Sequence, residues 1–142
     1  MFSLRYPTGS FSEYRLKDYW GSIVPTNPYV GLDRIDLKVK RRTCILGRSS
    51  DVDIQFHNPK ISKHHCELQL EITEEGAYHV TLRDLNSTNG TFLNGVRLAR
   101  GQSVRIYDGD IFSLAERIED HFSQEDDISF TFSTLLDTTE GE

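Results

Sequence analysis

Three short polar clusters hold the residues whose types could do chemistry. Gly47-Arg48-Ser49-Ser50 closes the apolar run Cys44-Ile45-Leu46. Lys60-Ile61-Ser62-Lys63-His64-His65 opens the segment that starts at Cys66, and Asp84-Leu85-Asn86-Ser87-Thr88-Asn89-Gly90-Thr91 follows a third apolar stretch. Together they offer a guanidinium, ammonium groups, hydroxyls and a carboxamide. That set suits a phosphate monoester, which carries about −1.5 to −2 charge at neutral pH and three strong acceptor oxygens. A guanidinium grips two oxygens at once, and hydroxyls fill the remaining lone pairs.

The same residues fit catalysis poorly. No two glycines are separated by a single residue, so neither a dinucleotide fingerprint nor a kinase glycine loop is present. G-x-x-x-x-G-K, H-E-x-x-H and C-x-x-C are also absent. His64 and His65 are adjacent, and neighbours on a strand point to opposite faces, which disfavours a shared metal. Ser62 precedes His65 by three residues, yet no G-x-S-x-G elbow accompanies the pair. No catalytic residue, metal or cofactor is expected of this segment.

Charge narrows the partner. The 142 residues carry a net charge of −6, which seems to oppose an anionic ligand. From Glu116 to Glu142, however, nine acids and one base give −8, and the preceding residues hold 15 bases against 13 acids, or +2. A mildly basic body fits one phosphorylated site. It does not fit a nucleic-acid stripe, where many phosphates must be neutralised. No apolar run exceeds three residues, which excludes a membrane-spanning helix, and no membrane partner is expected. Two cysteines, Cys44 and Cys66, are too few for a disulfide framework and read as small buried core residues of an intracellular protein.

The elements that must position the clusters are strands. Alternation is clear in 35–39, 66–72 and 78–82, with shorter β-prone pieces at 22–24, 52–54, 104–106, 111–114 and 128–132. Glu75-Gly76, Asn89-Gly90, Asn94-Gly95 and Asp108-Gly109 read as tight turns, because these pairs tolerate positive φ. Many short strands at close spacing imply an all-β antiparallel sandwich, whose loops converge at one end. A short helix is expected only within 115–123. Residues 1–18 read as an N-terminal arm, and 133–142 as an acidic tail or linker to further sequence.

Gly47-Arg48, then Ser62-x-x-His65, then Asn86-Ser87-Thr88-Asn89-Gly90-Thr91 with Asn94-Gly95, resemble the forkhead-associated (FHA) domain over residues 19–132. The resemblance implies a sandwich of about eleven strands that binds phosphothreonine peptides through loops at one end. By carry-over, Arg48 and Ser62 would hold the phosphate, helped by Lys63 and Thr88. Asn89 would bond the ligand backbone, and Lys60 would favour an acid three residues after the phosphothreonine. Gly47, His65, Asn86 and Gly90 would support the loops. The resemblance also points to nuclear signalling of checkpoint or meiotic type, within a longer serine/threonine kinase.

Plainer readings stand beside these. Asn89-Gly90 would be a hairpin turn whatever the function. The basic run Lys38, Lys40, Arg41 and Arg42 reads as a solvated strand edge, and Trp20 as a packed strand residue. Thr139, with Glu142 three positions on, could mediate self-association if phosphorylated. The competing class is a phosphate-independent interaction or oligomerisation domain that uses a sandwich face.

Overall fold

A computed structural model describes residues 18–27, 30–116 and 127–134. Residues 117–123 of the expected short helix, residues 1–17 of the expected arm and Thr139 lie outside the described residues. Eleven strands are present: β1 (Tyr19–Pro25), β2 (Ile35–Lys38), β3 (Thr43–Gly47), β4 (Ile54–Gln55), β5 (Cys66–Ile72), β6 (Tyr78–Asp84), β7 (Phe92–Leu93), β8 (Val96–Arg97), β9 (Ser103–Ile106), β10 (Ile111–Ser113) and β11 (Ser129–Ser133). They form a six-stranded sheet, ordered β2-β1-β11-β10-β7-β8, and a five-stranded sheet, ordered β4-β3-β5-β6-β9.

Alternation explains the face each long strand buries. Cys66, Leu68 and Leu70 of β5 point inward while Glu67, Gln69 and Glu71 are more exposed. On β6, Val80, Leu82 and Asp84 are buried. Between the sheets, Trp20, Ile23, Leu46, Leu68, Leu82, Phe112, Phe130 and Phe132 form the core. Phe130 meets Phe112 at 5.4 Å between ring centroids and Phe56 at 6.0 Å. Trp20 is buried, and its indole N–H donates to the Lys38 and Arg41 carbonyls. The basic run therefore lies largely in the turn that carries the chain from β2 to β3, with its backbone pinned by Trp20.

Four expectations need correction. Pairing is not wholly antiparallel, because β3 and β4 run parallel, with Leu46 opposite Ile54 and Gly47 opposite Gln55. The strand expected at 52–54 falls at 54–55, because the Asp53 carboxylate turns back to accept the Ile45 N–H at 2.8 Å. Asn89-Gly90 is not a hairpin turn but lies where the chain crosses between sheets, from β6 to β7; Asp108-Gly109 is a tight turn, closed by the Asp110 N–H on the Tyr107 carbonyl at 3.0 Å, and it too serves a crossing, from β9 to β10. Of the four expected turns, Glu75-Gly76 and Asn94-Gly95 (φ 50° and 85°) close hairpins, the latter with both central residues at positive φ. Finally, the sandwich runs past residue 132. Ser133 belongs to β11, and Thr134 is buried, donating to the Trp20 carbonyl at 2.7 Å.

Candidate functional site

β3 ends against the β4–β5 loop because residue 47 has no side chain. A Cβ there would stand 2.1 Å from the Lys63 carbonyl oxygen and 2.8 Å from its carbon. That approach lets backbone groups zip the two loops together. The N–H of Arg48 donates to the Ser62 carbonyl at 2.9 Å, that of Ser49 to Lys63 at 3.1 Å, and that of His65 to Leu46 at 2.9 Å. The exposed Arg48 side chain then turns across the zipper, and its Nε donates to the Ile61 carbonyl at 2.9 Å. One donor fixes the guanidinium plane. Its two terminal nitrogens have no protein partner among the described residues.

Ser62 links this pair of loops to the third. Its Oγ accepts the Thr88 N–H at 2.9 Å, which leaves the Ser62 O–H to donate elsewhere. Its own N–H donates to Nδ1 of His65 at 3.1 Å. Since Nδ1 accepts, the proton of the neutral ring sits on Nε2, which donates to the Gly90 carbonyl at 2.8 Å. His65 is fully buried, and burial pushes its pKa down, against the opposing pull of the Gly90 carbonyl and the Asp84 charge.

The β6–β7 loop is shaped from below by a buried carboxylate. Asp84 accepts from the Ser87 N–H at 3.2 Å, from the Ser87 hydroxyl at 2.5 Å and from the Thr91 hydroxyl at 2.7 Å. Ser87 Oγ in turn accepts the Gly90 N–H at 3.0 Å. Asn86 and Gly90 take positive φ, 61° and 98°, so the loop folds back and leaves Thr88 and Asn89 exposed at its tip. Asn89 Nδ2 donates to the Lys60 carbonyl at 2.8 Å, and its amide oxygen has no bond among the described residues. Lys60 is fixed from the other side by Asn58, whose Oδ1 accepts the Lys60 N–H at 2.9 Å. Beside it, the exposed Lys63 keeps a backbone N–H without a protein acceptor among the described residues. His64 pairs with Asp51 at 3.1 Å, and the Ser49 hydroxyl leads in holding the Asp51 carboxyl below its ordinary range.

This end of the sandwich thus carries the three loops that hold the expected binding residues. Arg48, Lys60, Lys63, Thr88 and Asn89 are exposed, as is Asn86; Ser62 is half-buried among them, and the buried Gly47, His65 and Gly90 stand behind. Sequence reasoning gave no role to Asp84, Ser87, Thr91 or the Ile61 carbonyl. The Asp84-x-x-Ser87 spacing, a common local side-chain-to-backbone turn, was the available signal. No buried side-chain nitrogen or oxygen among the described residues lacks a partner. Nor is there, among them, a group of three His, Cys, Asp or Glu able to hold a metal. Cys44 and Cys66 are free and buried, and burial pushes the Cys44 thiol up to about 12, which leaves it unreactive.

The structure is a β-sandwich with a cationic and hydroxyl-bearing loop cluster at one end. The FHA domain family model matches residues 44–115, half of the chain, and the chain belongs to that family. Over 87 residues it is 32% identical to the proliferation marker protein Ki-67 of Mus musculus, covering 61% of this chain and 2% of that protein. Over 93 residues it is 30% identical to a Dictyostelium discoideum protein named as a probable serine/threonine-protein kinase, fhkC, covering 65% of this chain and 15% of that protein. The chain therefore spans only a small part of the curated relatives it matches. Among solved structures, the MEK1 FHA domain in complex with a HOP1 phosphothreonine peptide superposes with a TM-score of 0.63 at 22% identity, covering 82% of this chain and 98% of that one.

Proposed function

We propose that this domain, bounded at about residues 19 and 134, binds phosphothreonine peptides and so mediates phosphorylation-dependent protein–protein interaction. One observation carries the reading. Among the described residues the Arg48 guanidinium is pinned through Nε alone, and its paired terminal nitrogens lie beside a Ser62 hydroxyl already oriented by Thr88. A dianionic phosphate would take the guanidinium fork, the Ser62 O–H, the Lys63 N–H and the Thr88 hydroxyl. Asn89, braced against Lys60, would hold the ligand backbone through its amide oxygen. The complex formed by the MEK1 FHA domain supports phosphothreonine as the ligand class. Similarity to a protein named as a kinase supports a place in phosphorylation signalling, and we extend this to a nuclear, checkpoint-type role within a longer protein.

The test is an oriented peptide library offered in phosphothreonine, phosphoserine and unmodified forms. Selective retention of the phosphothreonine form is expected. Equal retention of modified and unmodified peptides would overturn the reading and favour a phosphate-independent interaction domain.

A further inference from the structure

A fourth connection stands beside the three loops. The β8–β9 turn, residues 98–102, is tied to both feet of the β6–β7 loop. The Leu98 N–H donates to the Thr91 carbonyl at 2.9 Å, and the Gly101 N–H to the Asp84 carbonyl at 2.9 Å. The turn is itself closed twice, by the Gln102 N–H on the Ala99 carbonyl at 2.9 Å and by the Ala99 N–H on Oε1 of Gln102 at 2.8 Å. Gly101 supplies its positive φ (74°), which sets Arg100 at an exposed corner. Arg97, the last residue of β8, is also exposed and folds back onto β7, its Cζ 5.9 Å from the centre of the Phe92 ring. Its Nε lies against Gly90, where a Cβ would stand only 2.7 Å away. Among the described residues neither arginine is in an ion pair. The Asp84 carboxylate beneath them is buried and engaged by Ser87 and Thr91.

We infer that Arg97 and Arg100 form a second cationic subsite, which takes an Asp or Glu side chain of the same phosphothreonine ligand. The inference rests on the phosphothreonine reading above. Position carries it. Chain geometry keeps the Arg97 Nε within about 8 Å of the Asn89 Cα and within about 16 Å of the Ser62 Oγ. An extended peptide advances about 3.3 Å per residue, so about five residues of ligand span that distance. A guanidinium binds a carboxylate in a planar fork, and a carboxylate between two arginines relieves their mutual repulsion. Stacking on Phe92 holds Arg97 in place before the ligand arrives, so less side-chain freedom is lost on binding.

The test walks one aspartate along an otherwise neutral phosphothreonine peptide, through the six residues on either side, and titrates each peptide against the full chain. At one position or more the aspartate should tighten binding to the wild type by about threefold. The double variant Arg97→Gln, Arg100→Gln should lose that gain at the same position and bind the neutral peptide as the wild type does. Arg100→Glu changes one exposed turn residue and should turn the gain into a loss of similar factor, which decides the matter even if the double variant fails to fold. The absence of any aspartate position whose gain depends on these arginines would overturn the inference alone. So would a folded double variant that binds the neutral peptide more weakly, since the pair would then serve the phosphate or the loop. Failure of every phosphopeptide to bind the wild type would remove the phosphothreonine reading, and this inference with it.

Discussion

His65 donates from Nε2 to the carbonyl of Gly90 at 2.8 Å, so a residue at the start of β5 holds the β6–β7 loop from beneath. Its Nδ1 meanwhile accepts from the Ser62 N–H, and one neutral ring ties the β4–β5 and β6–β7 loops together. Protonation would place a second donor on Nδ1, facing the Ser62 N–H, and would break the tie.

Stability should therefore depend on pH. The unfolded imidazole takes up its proton near pH 6.5, whereas burial makes the folded ring do so only at lower pH. Between those two values the unfolded chain binds more protons, and the free energy of unfolding falls as pH falls. Above about 6.5 this contribution is complete and level; below the folded pKa it is lost and level again. The urea midpoint should hold steady from pH 8 to 7 and decline from 6.5 to 5.5, with a shallower decline in His65→Asn. A wild-type midpoint unchanged down to pH 5.5 would contradict this account.

Gly47→Ala should damage the site through the backbone. The added methyl meets the Lys63 carbonyl at 2.1 Å, and no flexible side chain is there to move aside. Overpacking of this kind costs about 1–3 kcal/mol, measurable by urea denaturation. The β4–β5 loop must shift to admit it and would carry Ser62 along, so peptide affinity should fall by more than stability alone accounts for.

How much of this was legible in the sequence varies with the physics of each element. β5 and β6 were plain because alternation over 66–72 and 78–82 marks half-buried strands. β7 and β8, at two residues each, were too short to show a period; the Asn94-Gly95 turn between them was the legible part. Asn89-Gly90 misled because positive φ at glycine serves a sheet crossing as well as a hairpin. The exposed ligand-facing candidates could be read from residue type and order. The support beneath them could not: Asp84 looks like any strand-end acid until three donors converge on it, and the Ile61 carbonyl that aims Arg48 has no sequence signature at all.

Asp84→Ala should be among the most destabilising substitutions near the site. It strands the Ser87 N–H, the Ser87 hydroxyl and the Thr91 hydroxyl in the interior, at about 1–3 kcal/mol for each unmet group. Asp84→Asn keeps one acceptor oxygen but sets an amide N–H₂ among donors, and should lose less. Chemical denaturation of the two variants gives the order. An alanine variant as stable as the asparagine one would mean that the carboxylate does not organise the loop.

Arg48→Ala should separate binding from folding. The side chain is exposed, and its Nε bond to Ile61 contributes about 1 kcal/mol at most. Losing its charge-assisted bonds to a phosphate should weaken phosphothreonine peptides by about a hundredfold or more. Arg48→Lys keeps the charge but neither the fork nor the Ile61 anchor, and should fall between the two. Fluorescence anisotropy with a labelled phosphopeptide reads the affinities, and thermal melts check that the fold persists.

Lys60→Glu should reverse a preference without abolishing binding. The Lys60 backbone is fixed at both ends, its N–H on Asn58 and its carbonyl under Asn89, so substitution changes the charge presented and leaves the loop path alone. An exposed ion pair contributes about 0.2–1 kcal/mol, so the wild type should favour Asp over Lys at the third residue after the phosphothreonine by a factor of about 1.4 to 5. The variant should favour Lys over Asp by a similar factor, and raising salt from 0.05 to 0.5 M should compress both preferences toward unity. A paired titration of the two peptides against both proteins measures the effect. Identical rankings for wild type and variant would show that Lys60 does not read that position.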